Sequence, residues 1–466
     1  STICSLTACS MTNRSLFASN LGVASGTLAS RATGLVRVVV FAAVIGQTAR
    51  ADAFDIGNNA PNVVYELLLG GTLTASLVPL LAQFREKGDR EATAAVFGVS
   101  LLGAAAITVV AVVCAPWIFR LYSLSPAADA ANFHQVGGAL TRVFLIQIFF
   151  YGLNALVAAM LNAHDRFAAA AWAPVASNLV AIGALVSIGQ SHSGGALGLS
   201  DAPIRSTVFW WLSMGPTAGI AVMALIVLAV GIRHGAVPKP SLQFDHPAVR
   251  RLLSLSGWAI GYIATNQVAL VVVKNLAEPG SGQLDAYAKA MTIFQLPHGL
   301  LAVTVATTSA PLLARAAVSN DKASFGATFA SNARTTLWLT APCSVVLFVF
   351  AEPVVRLVLG WGAFRDDAVR LTADALSGLS IGLVGFSLYL FVLRGFYSHG
   401  DTRTPFFINA GENVLNVVLA LALVGRYGVH GLGLAFALAY LMSAIVAVAV
   451  LRRAHGTPGL IGLLRG

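Results

Sequence analysis

Residues 93–119 read TAAVFGVSLLGAAAITVVAVVCAPWIF and contain no Asp, Glu, Lys or Arg. An apolar stretch of about 20 residues is long enough to cross the hydrocarbon core of a bilayer as a helix. Comparable stretches recur from residue 21 to residue 451. The chain of 466 residues is 57% hydrophobic and only 10% charged, whereas soluble domains are about 25% charged. This composition excludes a soluble protein and indicates an all-α polytopic membrane protein.

The apolar runs and the residues that interrupt them predict about 12 transmembrane helices. The first six are expected near 21–46, 52–83, 93–119, 133–160, 168–189 and 207–232. The second six are expected near 249–274, 284–314, 331–360, 371–398, 404–425 and 430–451.

The most polar connector in the middle of the chain runs from Arg233 to Arg251 and separates the two sets of helices. The sequence therefore predicts two six-helix lobes joined by a linker, with a tail at each end. The predicted boundaries are a tail of 1–20, an N-lobe of 21–233, a linker of 234–248, a C-lobe of 249–453 and a tail of 454–466.

The two halves repeat each other at a nearly constant offset. Asp52-Ala53-Phe54 is echoed by Asp285-Ala286-Tyr287, and Asn178 by Asn413. The same offset relates Val78-Pro79-Leu80-Leu81-Ala82 to Ala310-Pro311-Leu312-Leu313-Ala314, and His164-Asp165-Arg166 to His399-Gly400-Asp401-Thr402-Arg403. Repeats with an even number of spans enter the membrane from the same side, so their axis should lie along the membrane normal. A central cavity between such lobes is the expected transport site.

The net charge of +10 comes mostly from Lys and Arg in short connectors. If the N terminus is cytoplasmic, roughly twice as many of these residues fall on the inner side as on the outer side, which matches the positive-inside rule. The pattern predicts that both termini are cytoplasmic, and it explains the basic charge without a nucleic-acid partner.

Arg31 and Arg37 are the most informative charges because both fall within the first predicted span. A charge at membrane depth requires a partner or a water-filled cavity. Arginine is suited to an anion site, since its planar fork binds phosphate bidentately and stays charged. The alternative is that both arginines pair with Glu66, an acid in the second span, and only hold two helices together.

The second span also carries Asp52 and Asn62 in its polar outer half, and Gly70-Gly71 in its inner half. Broken, polar helices are tolerated at membrane depth where they line protein or water. Asp52, Asn62 and Glu66 are therefore candidate cavity residues, although the glycines also fit a packing kink. Lys289 lies near the outer end of the eighth span, so both a cavity role and snorkelling outward remain open.

The eleventh span has a polar face formed by Asn409, Glu412, Asn413 and Asn416, which are three or four residues apart. Glu412, Asn413 and Asn416 are candidates for binding a coupling cation. Hydrogen bonding between helices is the alternative role for these side chains.

The sequence carries no phosphate-binding loop, metal-ligand cluster or nucleophile motif. We expect neither an enzyme nor a cofactor or metal. The turns His164-Asp165-Arg166 and His399-Gly400-Asp401 could form acid-base sites, but their duplication favours a role in capping and aligning helix ends.

Several ordered motifs resemble the MurJ (MviN) family of lipid II flippases. They are Ser30-Arg31-Ala32-Thr33-Gly34-Leu35-Val36-Arg37, Ala51-Asp52-Ala53-Phe54, Ala60-Pro61-Asn62, Leu77-Val78-Pro79, Gln295-Leu296-Pro297-His298-Gly299-Leu300-Leu301, Ala310-Pro311 and Gly400-Asp401-Thr402-Arg403-Thr404-Pro405. The resemblance covers most of the chain from about residue 20 onward.

The resemblance implies the fold of the multidrug/oligosaccharidyl-lipid/polysaccharide exporter superfamily and a role in bacterial peptidoglycan synthesis and cell shape. The implied substrate is lipid II, a polyprenyl-pyrophosphate-linked precursor that alternating access carries to the outer leaflet of the cell membrane. Membrane lipids and cell-wall synthesis proteins are the other implied partners. Arg31, Arg37 and Asp52 fall on family positions.

The sequence departs from the family pattern at four points. Tyr65, beside Glu66, occupies a family basic position, and Thr292 occupies another, with Lys289 about one turn away as a substitute. The acid that some members use for sodium in the seventh span has no counterpart between Leu252 and Val273. The two further helices of the family are not expected within this sequence.

Two alternatives to a lipid II flippase remain open at this point. One is an exporter of another polyprenyl-linked glycan or of a drug with the same fold, although a cationic-drug exporter should carry acids at the positions of Arg31 and Arg37. The other is a non-transporting membrane scaffold for cell-wall enzymes. A membrane glycosyltransferase is disfavoured because no loop has a clustered acidic metal site.

Overall fold

A computed structural model describes residues 2–65, 80–164, 166–191, 195–201, 203–254 and 257–464. Within these ranges the chain forms helices and no strands. Glu66, Gly70, Gly71 and Asp165 lie outside the described residues.

The first half of the chain contains nine of the helices that have defined bounds. They are α1 (Thr2–Ile45), α2 (Ala49–Tyr65), α3 (Arg90–Val113), α4 (Ala115–Leu121), α5 (Ala130–Phe144), α6 (Gln147–Ala163), α7 (Ala168–Ser191), α8 (Thr207–Arg233) and α9 (Pro247–Ser254). Helix α1 begins within the segment predicted as a tail; residues 2–21 contain no Gly or Pro that would stop a helix.

The second half contains another nine helices and one π-helical turn. They are α10 (Gly257–Leu276), α11 (Gln283–Pro297), the π-helical turn (His298–Ala302), α12 (Val303–Val318), α13 (Lys322–Val349), α14 (Ala351–Leu359), α15 (Asp366–Ser380), α16 (Leu383–Ser398), α17 (Arg403–His455) and α18 (Leu460–Leu464).

The protein is a polytopic all-α membrane protein, as its sequence predicts. Among the described residues, 7 helices are long and apolar enough to cross a membrane, or up to 9 if each bent pair forms one span. Helix α17 contains a break at Gly428, where φ is 53° and ψ is −136°. This break falls between the predicted spans 404–425 and 430–451. The total of twelve spans remains a prediction.

Two predicted spans are bent rather than continuous, and the one at 371–398 bends by 49° between α15 and α16. The sequence suggests a span at 331–360, but α13 and α14 meet at an angle of 83° around Phe350. Pro353 lies in the first turn of α14, a position where proline fits a new helix but not the continuation of an old one.

The chain divides into two compact units. Unit 1 comprises residues 1–44, 56–120 and 134–260, and unit 2 comprises 45–55, 121–133 and 261–466. Residues 45–55, which include Asp52, therefore group with unit 2 although they lie early in the sequence. Each unit has its own apolar core, which includes Leu156, Met160 and Val227 in unit 1 and Phe329, Phe391 and Leu451 in unit 2.

Candidate functional site

Asp52 is completely buried in unit 2 and accepts three backbone hydrogen bonds. The N–H groups of Gly280, Gly282 and Asp285 each donate to its carboxylate at 2.8 Å. Gly282 is the N-cap of α11, and as glycine it has no side chain that could cap this helix. Asp52 therefore supplies the capping carboxylate from another helix, and its negative charge also suits the positive end of the α11 dipole.

The glycines on either side of Ser281 make this close approach feasible. Gly280 and Gly282 have φ values of 92° and 86°, in the left-handed region that favours glycine. A Cβ at Gly280 would lie 2.9 Å from the Cβ of Ala128, so the space is also restricted. The turn before α11 thus presents its N–H groups to Asp52 because glycine occupies these two positions.

Two ion pairs surround Asp52 in unit 2. Lys289 pairs with Asp285 one turn earlier on α11, and their side chains are only 4% and 5% exposed. The Nζ of Lys274 lies 2.9 Å from the carboxylate of Asp55. Lys289 therefore does not snorkel outward; its neighbour at i−4 holds it inside the protein. We call Asp52, Asp55, Lys274, Asp285 and Lys289 the Asp52 cluster.

A second polar group lies in unit 1 and contains Arg37, Asn62 and Tyr151. The side chain of Asn62 hydrogen-bonds the hydroxyl of Tyr151, and the guanidinium of Arg37 interacts electrostatically with the same hydroxyl. All three residues are half-buried. With Arg31 these residues form what we call the Arg37 group. The structure brings the predicted residues Arg37 and Asn62 together around Tyr151, which the sequence reasoning missed.

Arg31 is exposed and lies on α1 almost two turns before Arg37. Between them, Asn178 of α7 donates hydrogen bonds to the carbonyl of Ser30 at 3.2 Å and to the hydroxyl of Thr33 at 3.0 Å. This contact fixes the rotation of α1 and hence the direction of both arginines. In the described part of the chain neither arginine has an acidic partner; Glu66, the predicted alternative partner, lies outside it.

The polar face of α17 is buried in unit 2. The Nδ2 of Asn413 donates to Asn266 Oδ1 at 2.7 Å and to the carbonyl of Asn409 at 2.9 Å. The side-chain oxygens Asn409 Oδ1, Glu412 Oε1 and Asn416 Oδ1 are buried and have no hydrogen-bond partner among the described residues. Oxygens of this kind are the ligands that hard cations take. Asn413 also hydrogen-bonds between helices, which was the alternative role.

The two repeated histidine turns act as helix caps. His164 Nδ1 donates to the carbonyl of Met160 at 2.8 Å, and His399 Nδ1 donates to that of Gly395 at 2.9 Å. Asp401 accepts the backbone N–H groups of Arg403 and Thr404 at 3.0 Å each. Burial opposes the ionisation of Asp401, but the hydrogen bonds that it accepts hold its pKa below the ordinary value.

In the part of the chain that the structure describes, no three His, Cys, Asp or Glu side chains lie close enough together to hold a metal ion.

Comparisons with known proteins give one consistent result. The sequence model of the family described as lipid II flippase MurJ matches residues 41–464. The lipid II flippase MurJ of Burkholderia cenocepacia is 28% identical over 443 residues, which cover 94% of this chain and 84% of that protein. The probable lipid II flippase MurJ of Rhizobium tropici is 30% identical, with 93% and 80% covered.

Solved structures show the same fold. A lipid II flippase MurJ in an inward closed conformation matches with a TM-score of 0.77 at 22% identity, over 95% of this chain and 89% of that one. An inward-facing multidrug resistance MATE transporter of the MOP superfamily matches with a TM-score of 0.74 at 15% identity, over 92% and 94%.

Proposed function

This chain belongs to the lipid II flippase MurJ family, and from that membership we propose that it translocates lipid II from the cytoplasmic to the outer leaflet by alternating access. The observation that carries the proposal is the family match over residues 41–464, together with relatives of that description that are 28–30% identical over more than nine-tenths of the chain. The protein acts as a transporter in a bacterial cell membrane and carries out no chemical step on its substrate.

The head of lipid II would bind at the Arg37 group. Its pyrophosphate is anionic and offers several acceptor oxygens, which match the bidentate donors of Arg31 and Arg37. The support for this site is that both guanidiniums lack an acidic partner among the described residues. Asn62 and Tyr151 would place further hydrogen-bonding groups beside the pyrophosphate.

Replacement of Arg31 or Arg37 by Ala should abolish complementation of a strain depleted of its own lipid II flippase, while the protein still accumulates in the membrane. Lys should rescue position 31 better than position 37, because Arg31 is exposed and water can offset the lost bidentate geometry. The matched control is Arg365→Ala, which changes an exposed arginine immediately before α15. Normal growth of both Ala variants would reject the proposed site.

The Asp52 cluster would act in the conformational cycle. In this structure Asp52 and Lys289 are engaged with partners inside unit 2, so we propose that these contacts form in one state and open in another. Once separated from Asp285, Lys289 would be available to the anionic head. Because the cost of a buried ion falls when it regains water, such contacts can alternate between two states of similar free energy.

The face formed by Glu412, Asn413 and Asn416 is proposed to bind a coupling cation. The support is the set of buried oxygens without hydrogen-bond partners in the described part of unit 2. Glu412→Gln should lower the affinity for 22-sodium in purified protein, and Glu352→Gln, an exposed acid, should not. Undiminished sodium binding in Glu412→Gln would remove Glu412 from the site.

Both termini are proposed to be cytoplasmic, with lobes of 21–233 and 249–453. In a chain without the native cysteines, Ser200→Cys should react with an impermeant thiol reagent added from outside the cell. Lys239→Cys should react only after the membrane is permeabilised. Both positions are exposed. The reverse labelling pattern would invert the proposed orientation.

A further inference from the structure

A cavity of about 340 Å³ lies at the C-terminal end of α17. Its walls are Ile445, Val448, Ala449, Arg452, Arg453, Gly459 and Leu460. This cavity is formed entirely within unit 2, and none of its residues takes part in the proposed lipid II or cation sites. Its volume is at the lower end of the range for small-molecule pockets, enough for a head group and the beginning of a chain.

The cavity changes from apolar to cationic along the axis of α17. Ile445, Val448 and Ala449 form successive apolar positions, and Arg452 follows about 10 Å beyond Ile445 along the helix axis at 1.5 Å per residue, with Arg453 next to it. A phospholipid has the same order of groups, with acyl chain, glycerol and phosphate arranged along its length. The cavity therefore matches the order of polarity in a phospholipid head group and the beginning of its acyl chain.

The positive-inside pattern accounts for basic residues at this end of α17, but both arginines also line the cavity. In the part of the chain that the structure describes, neither Arg452 nor Arg453 forms an ion pair or donates a side-chain hydrogen bond, and both are exposed. Cations often occur at helix C-termini because they favour the helix dipole. Here, however, Gly456 already ends α17 in the left-handed conformation, and its N–H donates to the carbonyl of Arg452 at 2.8 Å.

Two further polar atoms lack partners in the described part of the chain, one on the connector after α17 and one on α13. The hydroxyl of Thr457 and the Nε of Arg334 are buried without a hydrogen-bond partner among the described residues, and Thr457 is only 2% exposed. Arg334 Nη2 donates to the carbonyl of Gly462 at 3.0 Å, which holds α18 against α13. Buried polar atoms are usually hydrogen-bonded, so the C-terminal end of unit 2 has polar as well as apolar surroundings.

We propose that this cavity binds one anionic phospholipid, whose phosphate is held by Arg452 and Arg453 and whose acyl chain lies on Ile445 and Ala449. Basic pockets between helices at the cytoplasmic surface are suited to anionic head groups. The charge distribution of the sequence predicts that this end of α17 is cytoplasmic. The proposal does not depend on lipid II transport, since it concerns a separate site.

The test is a thermal-unfolding titration of the purified chain in detergent. Phosphatidylglycerol should raise the midpoint saturably, because a ligand that binds only the folded state stabilises it. Phosphatidylcholine with the same acyl chains should not. Arg452→Gln/Arg453→Gln should raise the phosphatidylglycerol concentration that gives the half-maximal shift roughly thirtyfold, as expected for two basic residues at an anionic surface, and the corresponding double Lys variant should retain most of the response.

The matched control is Arg365→Gln/Arg370→Gln, which removes the same charge from exposed positions on and next to α15. An equal loss in this control would show that binding follows net charge and would overturn the proposal. An equal response to phosphatidylcholine would also overturn it. If inorganic phosphate alone reproduces the shift, the cavity binds a phosphate group without a lipid, and the proposal is overturned as well. An unchanged midpoint of the lipid-free double Gln variant confirms that it folds.

Discussion

The Asp52 cluster and the Arg37 group both contain charges that a membrane would penalise, but they compensate these charges in opposite ways. In the Asp52 cluster each lysine faces an acid, and Asp52 itself accepts three backbone N–H groups. In the Arg37 group the guanidinium of Arg37 interacts with the hydroxyl of Tyr151, and neither arginine has an acidic partner among the described residues. The first arrangement is complete without a ligand, whereas the second is ready to receive an anion.

The largest stability effect is therefore expected in the Asp52 cluster. Asp285→Leu or Lys289→Leu alone leaves the other charge buried and uncompensated, which should cost about 3–5 kcal/mol. The double variant should be less destabilised than the sum of the two single variants. The free energy of unfolding of all three purified variants is measured in mixed micelles. The same substitutions in the exposed pair Glu352 and Arg356 are the control and should change it little. Additive losses would show that the pair is not coupled.

A smaller loss is expected from Asp52→Asn. The amide keeps one acceptor oxygen but turns a donor toward the N–H groups of Gly280, Gly282 or Asp285, so at least one of them loses its acceptor. An unsatisfied buried N–H costs about 1–3 kcal/mol. Asp374→Asn makes the same change at an exposed position and should be nearly neutral. If the two variants unfold alike, Asp52 does not cap α11.

In the Arg37 group the expected effect falls on binding and not on stability. Tyr151→Phe removes only the hydroxyl that contacts Asn62 and Arg37, so lipid II affinity should fall about two- to tenfold, as for the loss of one neutral hydrogen bond. Tyr397→Phe, at an exposed tyrosine, is the control. The lipid II affinity of the purified variants and the amount of each protein in the membrane are the two measurements. Loss of protein with unchanged affinity would make Tyr151 a packing residue.

The smallest effect is expected at Asp401, which caps a helix as Asp52 does but lies in a connector. Asn is an equally good cap, so Asp401→Asn should change stability at neutral pH by a few tenths of a kcal/mol. Because the pKa of Asp401 is lowered in the folded state, its charge stabilises the protein above the ordinary value of about 3.9 and this contribution is lost as pH falls through the lower folded value. Unfolding of Asp401→Asn should therefore depend less on pH below about 4. An unchanged acid profile would contradict this.

Sequence reasoning is most specific where a physical pattern is local. Apolar length predicted the helical membrane class, and the cost of intramembrane charge singled out Arg37 and Asp52. The break at Gly428 also falls where the sequence placed a connector. Lys289 was harder to interpret, although the spacing from Asp285 to Lys289 is the i,i+4 interval of a helical ion pair.

The remaining contacts depend on tertiary structure. Tyr151 lies in an apolar run with no polar periodicity, and only the packing of α1, α2 and α6 brings it to Arg37 and Asn62. Likewise, the sequence around Asp52 does not indicate that its carboxylate accepts hydrogen bonds from the turn at Gly280 and Gly282, because that turn lies far away in the sequence. Single-sequence patterns identify such groups but not their partners.

The most direct test of the account is lipid II translocation by the purified chain in proteoliposomes, read out as the appearance of lipid II head groups at the opposite leaflet. We predict transport by the native chain and by Arg365→Ala, and its loss in Arg31→Ala and Arg37→Ala proteins that retain their native unfolding midpoint. Transport by both of these Ala variants at the native rate would contradict the account.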